Sequence, residues 1–249
     1  MRLAGLLLAL GLTLGLWAEE TRPVRVGLYD DIGVGKGVKE FHESLKKLPG
    51  LKVTLVKAAE IQNGILKDFD ILIQPGGSGG GQGKALEEKG RENIRQFVKV
   101  GGGYLGICAG AYLATCDYDW SLHLLDAKVI DKKHWARGFG PVEVGFSSKG
   151  SKLLGLNKDK ATIYYHQGPL LAPANNPLIP DYENLATFES ELAKNGAPKG
   201  VMVGTTAVTA STFEKGRVFC FSPHPEKTEG RMDMVLRAIL WTAGRNAKE

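Results

Sequence analysis

Gly102-Gly103-Tyr104-Leu105-Gly106-Ile107-Cys108-Ala109-Gly110-Ala111-Tyr112-Leu113-Ala114 is the stretch that decides the fold. It opens on glycines, runs through a short apolar segment and turns at Gly106-Ile107-Cys108-Ala109-Gly110 into residues of helical character. That is the pattern of a strand–elbow–helix turn, with Cys108 in the nucleophile position. The flanking glycines give room for a tight turn and for close packing of helix on strand. A sulfur placed there meets backbone N–H groups and a helix dipole that favour the thiolate over the thiol. A lone cysteine among apolar neighbours is otherwise a small core residue. The paired glycines weigh for the elbow.

Outward from the elbow the chain alternates. Val24 to Tyr29, Leu51 to Val56 and Phe69 to Gln74 read as strands, Val38 to Leu48 and Lys84 to Val100 as helices, and Ala58 to Leu66 as a short helix or turn. Strands alternating with helices imply a parallel sheet covered on both faces. Beyond the elbow helix the texture changes to short β-like runs between loops: Lys128 to Ile130, Val142 to Phe146, Thr162 to Tyr165 and Leu185 to Phe188. Val201 to Ala210 and Arg217 to Phe221 read as a strand pair joined at Glu214-Lys215-Gly216, and Met232 to Thr242 as the last helix. The expectation is one α/β domain, a three-layer sandwich with a mostly parallel central sheet, a nucleophile elbow and extra antiparallel strands.

A cysteine nucleophile needs a base and a group to hold the base. Of five histidines, His224 in Phe221-Ser222-Pro223-His224-Pro225-Glu226 is the strongest candidate. It follows a strand, as Cys108 does, and the loops at the carboxyl ends of strands form the site in such sheets. Glu226 is placed to orient the ring and stabilise its charged form. Pro75-Gly76-Gly77 follows the third strand, and the N–H groups of Gly77 and Ala109 are candidates for an oxyanion hole. Gly79 to Gly83 reads as a flexible loop, and without a Gly-Lys-Ser/Thr ending it is no phosphate loop. Gly76, Tyr112, His166 and Gln167 are candidate pocket residues, the last two within Tyr164-Tyr165-His166-Gln167-Gly168-Pro169.

The first residues carry an address. Met1-Arg2 precedes an apolar run from Leu3 to Leu16, and Trp17-Ala18-Glu19-Glu20 then turns acidic. This reads as a signal peptide over 1–18 cut after Ala18, hence a secreted or periplasmic protein with a single domain over 19–249. The alternative is an uncleaved anchor. A net charge of +5 over 249 residues is mild and dispersed. It shows no basic stripe interleaved with aromatics, so nucleic acid is not an expected partner, nor is a membrane after cleavage. No metal-ligand spacing or cofactor motif is present, so no cofactor is expected. Three cysteines leave at least one thiol free, and a Cys116–Cys220 bridge stays open as an alternative.

Three signals in chain order, Pro75-Gly76-Gly77, the elbow at Cys108 and His224-Pro225-Glu226, resemble the class I glutamine amidotransferase-like superfamily. Within it the chain is most similar to the biotin–protein ligase N-terminal domain family, through the elbow stretch, the residues around Tyr164 and Ser222-Pro223-His224-Pro225-Glu226. The resemblance implies a flavodoxin-like sheet and a Cys–His–Glu triad at Cys108, His224 and Glu226. Glutaminase members follow the elbow glycine with a His-Gln-like pair that helps hold glutamine. Here Ala111-Tyr112 stands there. Two functions are therefore expected in competition. One is an exported enzyme hydrolysing or transferring an acyl group from a small-molecule or peptide amide or ester. The other is a binding module that keeps the fold without turnover.

Overall fold

The computed structural model describes residues 22–245. The segment 1–18, expected to be a signal peptide, lies outside them. Among the described residues no helix is long and apolar enough to cross a membrane.

The first half alternates strand and helix. Strand β1 is Val24–Tyr29, helix α1 Val38–Lys46, β2 Leu51–Val56, α2 Ala58–Gln62, β3 Ile71–Gln74, α3 Gly79–Lys99, β4 Gly103–Ile107 and α4 Ala109–Ala114. After these come β5 Ala127–Ile130, β6 Phe139–Phe146, α5 Ser148–Leu154, β7 Lys160–His166, β8 Leu170–Pro173, β9 Glu183–Phe188, β10 Thr206–Phe213, β11 Gly216–Phe221 and α6 Met232–Thr242. Strand order is β2-β1-β3-β4-β11-β10-β9-β6-β7, with β8 beside β10 and β5 beside β8. The pairs from β2 to β11 are parallel. Those from β11 outward are antiparallel.

The two faces follow from the period of two along each strand. Ile71 and Ile73, Leu105 and Ile107, and Phe219 and Phe221 point to one face, where they pack with Phe41 and Leu45 of α1 and Val235 and Ile239 of α6. Leu72, Tyr104, Val218 and Cys220 point to the other, against Ile61 of α2, Ile94 and Val98 of α3 and Leu113 of α4. Strands buried on both sides read as continuous apolar runs, which is why β3 and β4 carry no polar alternation. The result is the expected flavodoxin-like three-layer sandwich.

Two local expectations need correction, two elements are added, and one open alternative is closed. Gly79 to Gly83 is not a loop. It forms the first turns of α3, capped by the Ser78 hydroxyl, which accepts from the Gly81 N–H at 3.1 Å. β10 starts at Thr206 rather than Val201, because a turn with Gly204 at φ 81° interrupts the apolar run. Helix α5 and strand β8 add to the expected elements. The helix is marked by Ser147 as cap and Gly155 as left-handed stop, signals hidden by its lysines and serines. All three cysteines are free, so Cys116 and Cys220 are not bridged.

Candidate active site

The site is built from strand ends. β3, β4 and β11 lie side by side in parallel and finish at the same edge. Their next residues are Pro75-Gly76-Gly77, Cys108 and Ser222-Pro223-His224. A fourth piece arrives from the far end of the strand path. The β6–β7 hairpin folds back so that Tyr164 bridges His224, with the His224 N–H donating to the Tyr164 carbonyl at 2.7 Å. This delivers His166, the last residue of β7, and Gln167 to the same place.

Cys108 sits at φ 52°, ψ −98°, a strained conformation for a residue with a Cβ, costing on the order of 1–3 kcal/mol. Its N–H is bonded to the Phe221 carbonyl at 2.8 Å, so β11 helps hold the strain. The flanking glycines are sterically required. A Cβ on Gly106 would stand 2.6 Å from the Gly110 carbonyl oxygen, and one on Gly110 would stand 2.0 Å from the Gln74 carbonyl oxygen. α4 thus lies directly on β3 and β4, and Cys108, itself buried, borders the cavity above them.

His224 is buried, as is the Glu226 side chain, and Nδ1 lies 2.6 Å from Glu226 Oε1. Burial alone would strip the ring of its proton. The Cys108 sulfur and the Glu226 carboxylate outweigh it and raise the His224 pKa to about 10. Nε2, the other ring nitrogen, has no hydrogen-bond partner among the described residues. The Cys108 thiol instead donates to the His166 carbonyl at 3.3 Å. Gly76 marks how closely sulfur and ring converge: a Cβ there would be 2.7 Å from His224 Cε1 and 3.7 Å from Cys108 Cβ.

Gly77, at φ 145°, is clamped by an antiparallel bridge to Val34 in which Gly35 N–H donates to the Gly76 carbonyl at 2.8 Å and Ser78 N–H to the Gly33 carbonyl at 2.7 Å. In such a pair the central residues turn their own N–H groups away from each other, so the Gly77 N–H faces away from Val34. Ala109 opens α4, where an N–H has no helical acceptor.

Above these groups lies a cavity of about 740 Å³, lined by Gly76, Gly77, Cys108, Tyr112, His166, Gln167 and His224 among others. Ala109 and Glu226 do not line it. Neither His42, His123 nor His134 lines it. His134 pairs with Asp131 at 2.6 Å, and His42 lies 3.6 Å from Glu43. Sequence reasoning missed the far wall: Tyr118, Trp120 and Trp135, with Lys36, Lys132 and Lys227. Tryptophans in loops without strand or helix period were the available signal.

This sheet and elbow define an α/β protein with an amidotransferase-like fold. Its residues 24–239 match the family described as biotin-protein ligase, N terminal, and the chain belongs to that family. It is 28% identical over 174 residues to the biotin–protein ligase of Schizosaccharomyces pombe, a match covering 63% of this chain and 25% of that one. The chain thus spans about a quarter of the length of that relative. Among solved structures, PurLQS from Thermotoga maritima superposes with a TM-score of 0.63 at 19% identity, covering 88% of this chain and 98% of that one. A protein from Thermoplasma acidophilum described as part of a GMP synthase gives 0.59 at 17%, covering 90% and 95%. A β-galactosidase of Bacillus circulans sp. alkalophilus gives 0.54 at 11%, covering 90% of this chain and 31% of that one. Likenesses this remote establish the fold alone, and proteins so differently named on one fold mean that chemistry must be argued from the site.

Proposed function

We propose that this chain is an exported cysteine-dependent acyl-transfer enzyme that hydrolyses, or transfers the acyl group of, a small amide or ester. The observation that carries the reading is the convergence of a strained, cavity-facing Cys108 with the buried His224–Glu226 pair.

The steps use only groups of the site itself. The thiol proton passes to His224 Nε2, whose proton affinity Glu226 and the sulfur raise. The sulfur attacks the carbonyl carbon, a C–S bond forms, and the oxyanion is received by the N–H groups of Gly77 and Ala109. The C–N or C–O bond then breaks, and the leaving group takes the proton back from the imidazolium. Water, deprotonated by His224, releases the acid and restores the thiol. Glu226 holds the Nδ1–H tautomer throughout. The unpartnered Nε2 supports this division of labour, since it leaves one nitrogen free for proton transfer.

4-Nitrophenyl acetate tests it. The expected result is a burst of about one equivalent of nitrophenolate with an acetyl adduct on Cys108 by mass spectrometry, absent in Cys108→Ala. If the burst is missing and Cys108 alkylates no faster than the half-buried Cys116, the enzymatic reading is lost. One contact favours the binding-module reading: the thiol is turned to the His166 carbonyl, not to Nε2. That reading predicts no adduct. Export predicts a mature N-terminus at Glu19 when the protein is recovered from the cell envelope and sequenced. An N-terminus still at Met1 would contradict cleavage.

A further inference from the structure

The cavity over Cys108 has one aromatic side and one cationic rim. Tyr118 and Trp120 stack with centroids 4.4 Å apart at 15°, giving a flat wall, and Trp135, 54% exposed, stands at the mouth. That wall sits close because the start of α3 is bare. A Cβ on Gly79 would lie 3.2 Å from Trp120 Cη2, and one on Gly83 would lie 2.4 Å from the Trp120 carbonyl oxygen.

The cations are not equivalent. Lys132 is committed: its ammonium pairs with Asp117 at 2.8 Å and lies 4.7 Å over the Tyr118 ring. Lys36 and Lys227 are exposed, and among the described residues neither has a carboxylate partner. Both line the cavity that Cys108 borders. Gly35, next to Lys36, is hydrogen-bonded to Gly76, and Lys227 Cε lies 3.8 Å from where a Gly37 Cβ would stand. The charge of Lys227 also reaches the pocket: after burial, it is the next cause lowering the His166 pKa. Among the described residues no Asp or Glu lines the cavity.

We infer that the site takes an acyl compound with a flat apolar body and a carboxylate, and without an ammonium group. The body lies on the Tyr118–Trp120 wall and the carboxylate meets Lys36 and Lys227 at the rim. A zwitterionic amino acid is disfavoured because its ammonium finds no counter-charge and meets two like charges. The volume suits one such molecule, since ligand cavities run about 300–1,000 Å³. The inference rests on the acyl-transfer reading of Cys108, and its test separates the two.

Binding is measured by quenching of tryptophan fluorescence in Cys108→Ala, which needs no turnover. The probes are hippurate, its neutral amide hippuramide, and zwitterionic phenylalanine. Hippurate should bind about tenfold more tightly than either, the sum of two partly exposed charge pairs. The preference should shrink as salt is raised and disappear in Lys36→Gln/Lys227→Gln. Equal binding of hippurate and hippuramide, a preference that survives in the double variant, or no binding of any probe overturns the inference. In the native protein, 4-nitrophenyl 4-carboxybenzoate should acylate Cys108 about tenfold faster than 4-nitrophenyl benzoate. Equal rates overturn the anion preference and leave the acyl-transfer reading standing. Acylation by neither ester, together with no burst from 4-nitrophenyl acetate and no faster alkylation of Cys108 than of Cys116, removes the acyl-transfer reading, while hippurate binding still judges the anion site.

Discussion

At the residue scale, His224 is where the energetics concentrate. A buried imidazole loses its proton unless charge is supplied, and here the Cys108 sulfur and Glu226 supply it. Glu226→Gln keeps the shape and removes the charge. Acylation of Cys108 by 4-nitrophenyl acetate should fall about 10²- to 10⁴-fold, the worth of a positioned proton carrier, with the fold intact by circular dichroism. An unchanged rate would remove Glu226 from the machinery. Gly76 gives a second test. Alanine there places a methyl 2.7 Å from His224 Cε1, so ring or loop must move. Displacements of this size cost about 100-fold in rate, while the melting temperature should stay near that of the native protein.

At the scale of elements, the glycine-rich opening of α3 separates two physical effects of opposite sign. By helix propensity alone, Gly83→Ala should stabilise the protein by about 1 kcal/mol. By contact, the new methyl meets backbone at 2.4 Å, the Trp120 carbonyl, which cannot swing away as a side-chain tip can. Overpacking of this kind costs about 1–3 kcal/mol, so the net change should be destabilising and accompanied by a shift in tryptophan emission. A rise in the urea midpoint would mean the wall yields freely. The same geometry explains why so glycine-rich a run is helical although it reads as a loop. Glycines signal flexibility only when nothing dictates their absence of side chains, and here Trp120 and Tyr112 do.

At the scale of the whole molecule, stability and chemistry occupy opposite ends of the sheet. The strands' carboxyl ends carry Cys108 and His224, and the other end is tied by Asp70. Its carboxylate accepts from Arg22 Nη1 at 2.7 Å, from Arg25 Nη2 at 2.8 Å and from the Arg25 N–H at 2.8 Å. Arg245 reaches back to the Arg22 carbonyl, so the two ends of the described chain meet there. Burial would raise the Asp70 carboxyl, but the two arginines outweigh it and hold it well below the usual carboxylate range. A depressed folded pKa stabilises the protein above the unfolded value of about 3.9, and that stability is lost as pH falls below it. Asp70→Asn should therefore cost about 1.5–3 kcal/mol at pH 7 and flatten the decline in urea midpoint between pH 5 and pH 3, leaving Cys108 acylation unaltered. A variant as acid-sensitive as the native protein would place the sensitivity elsewhere.

The local chemistry was written in the chain: apolar runs buried on both faces marked β3 and β4, apolar–polar alternation marked β1 and the edge strand β2, and Gly106, Cys108 and Gly110 marked the elbow, because strand burial and a tight turn each demand residue types at fixed short spacing. His224 and Glu226 were legible for the same reason, being two residues apart. Only the tertiary structure decided that β7 folds back to set His166 against Cys108, that Trp120 lies across α3, and that Lys36 and Lys227 stand on the rim without a carboxylate among the described residues. Those contacts join residues tens of positions apart, so no local pattern encodes them. They are fixed by which surfaces the whole sheet can bury at once.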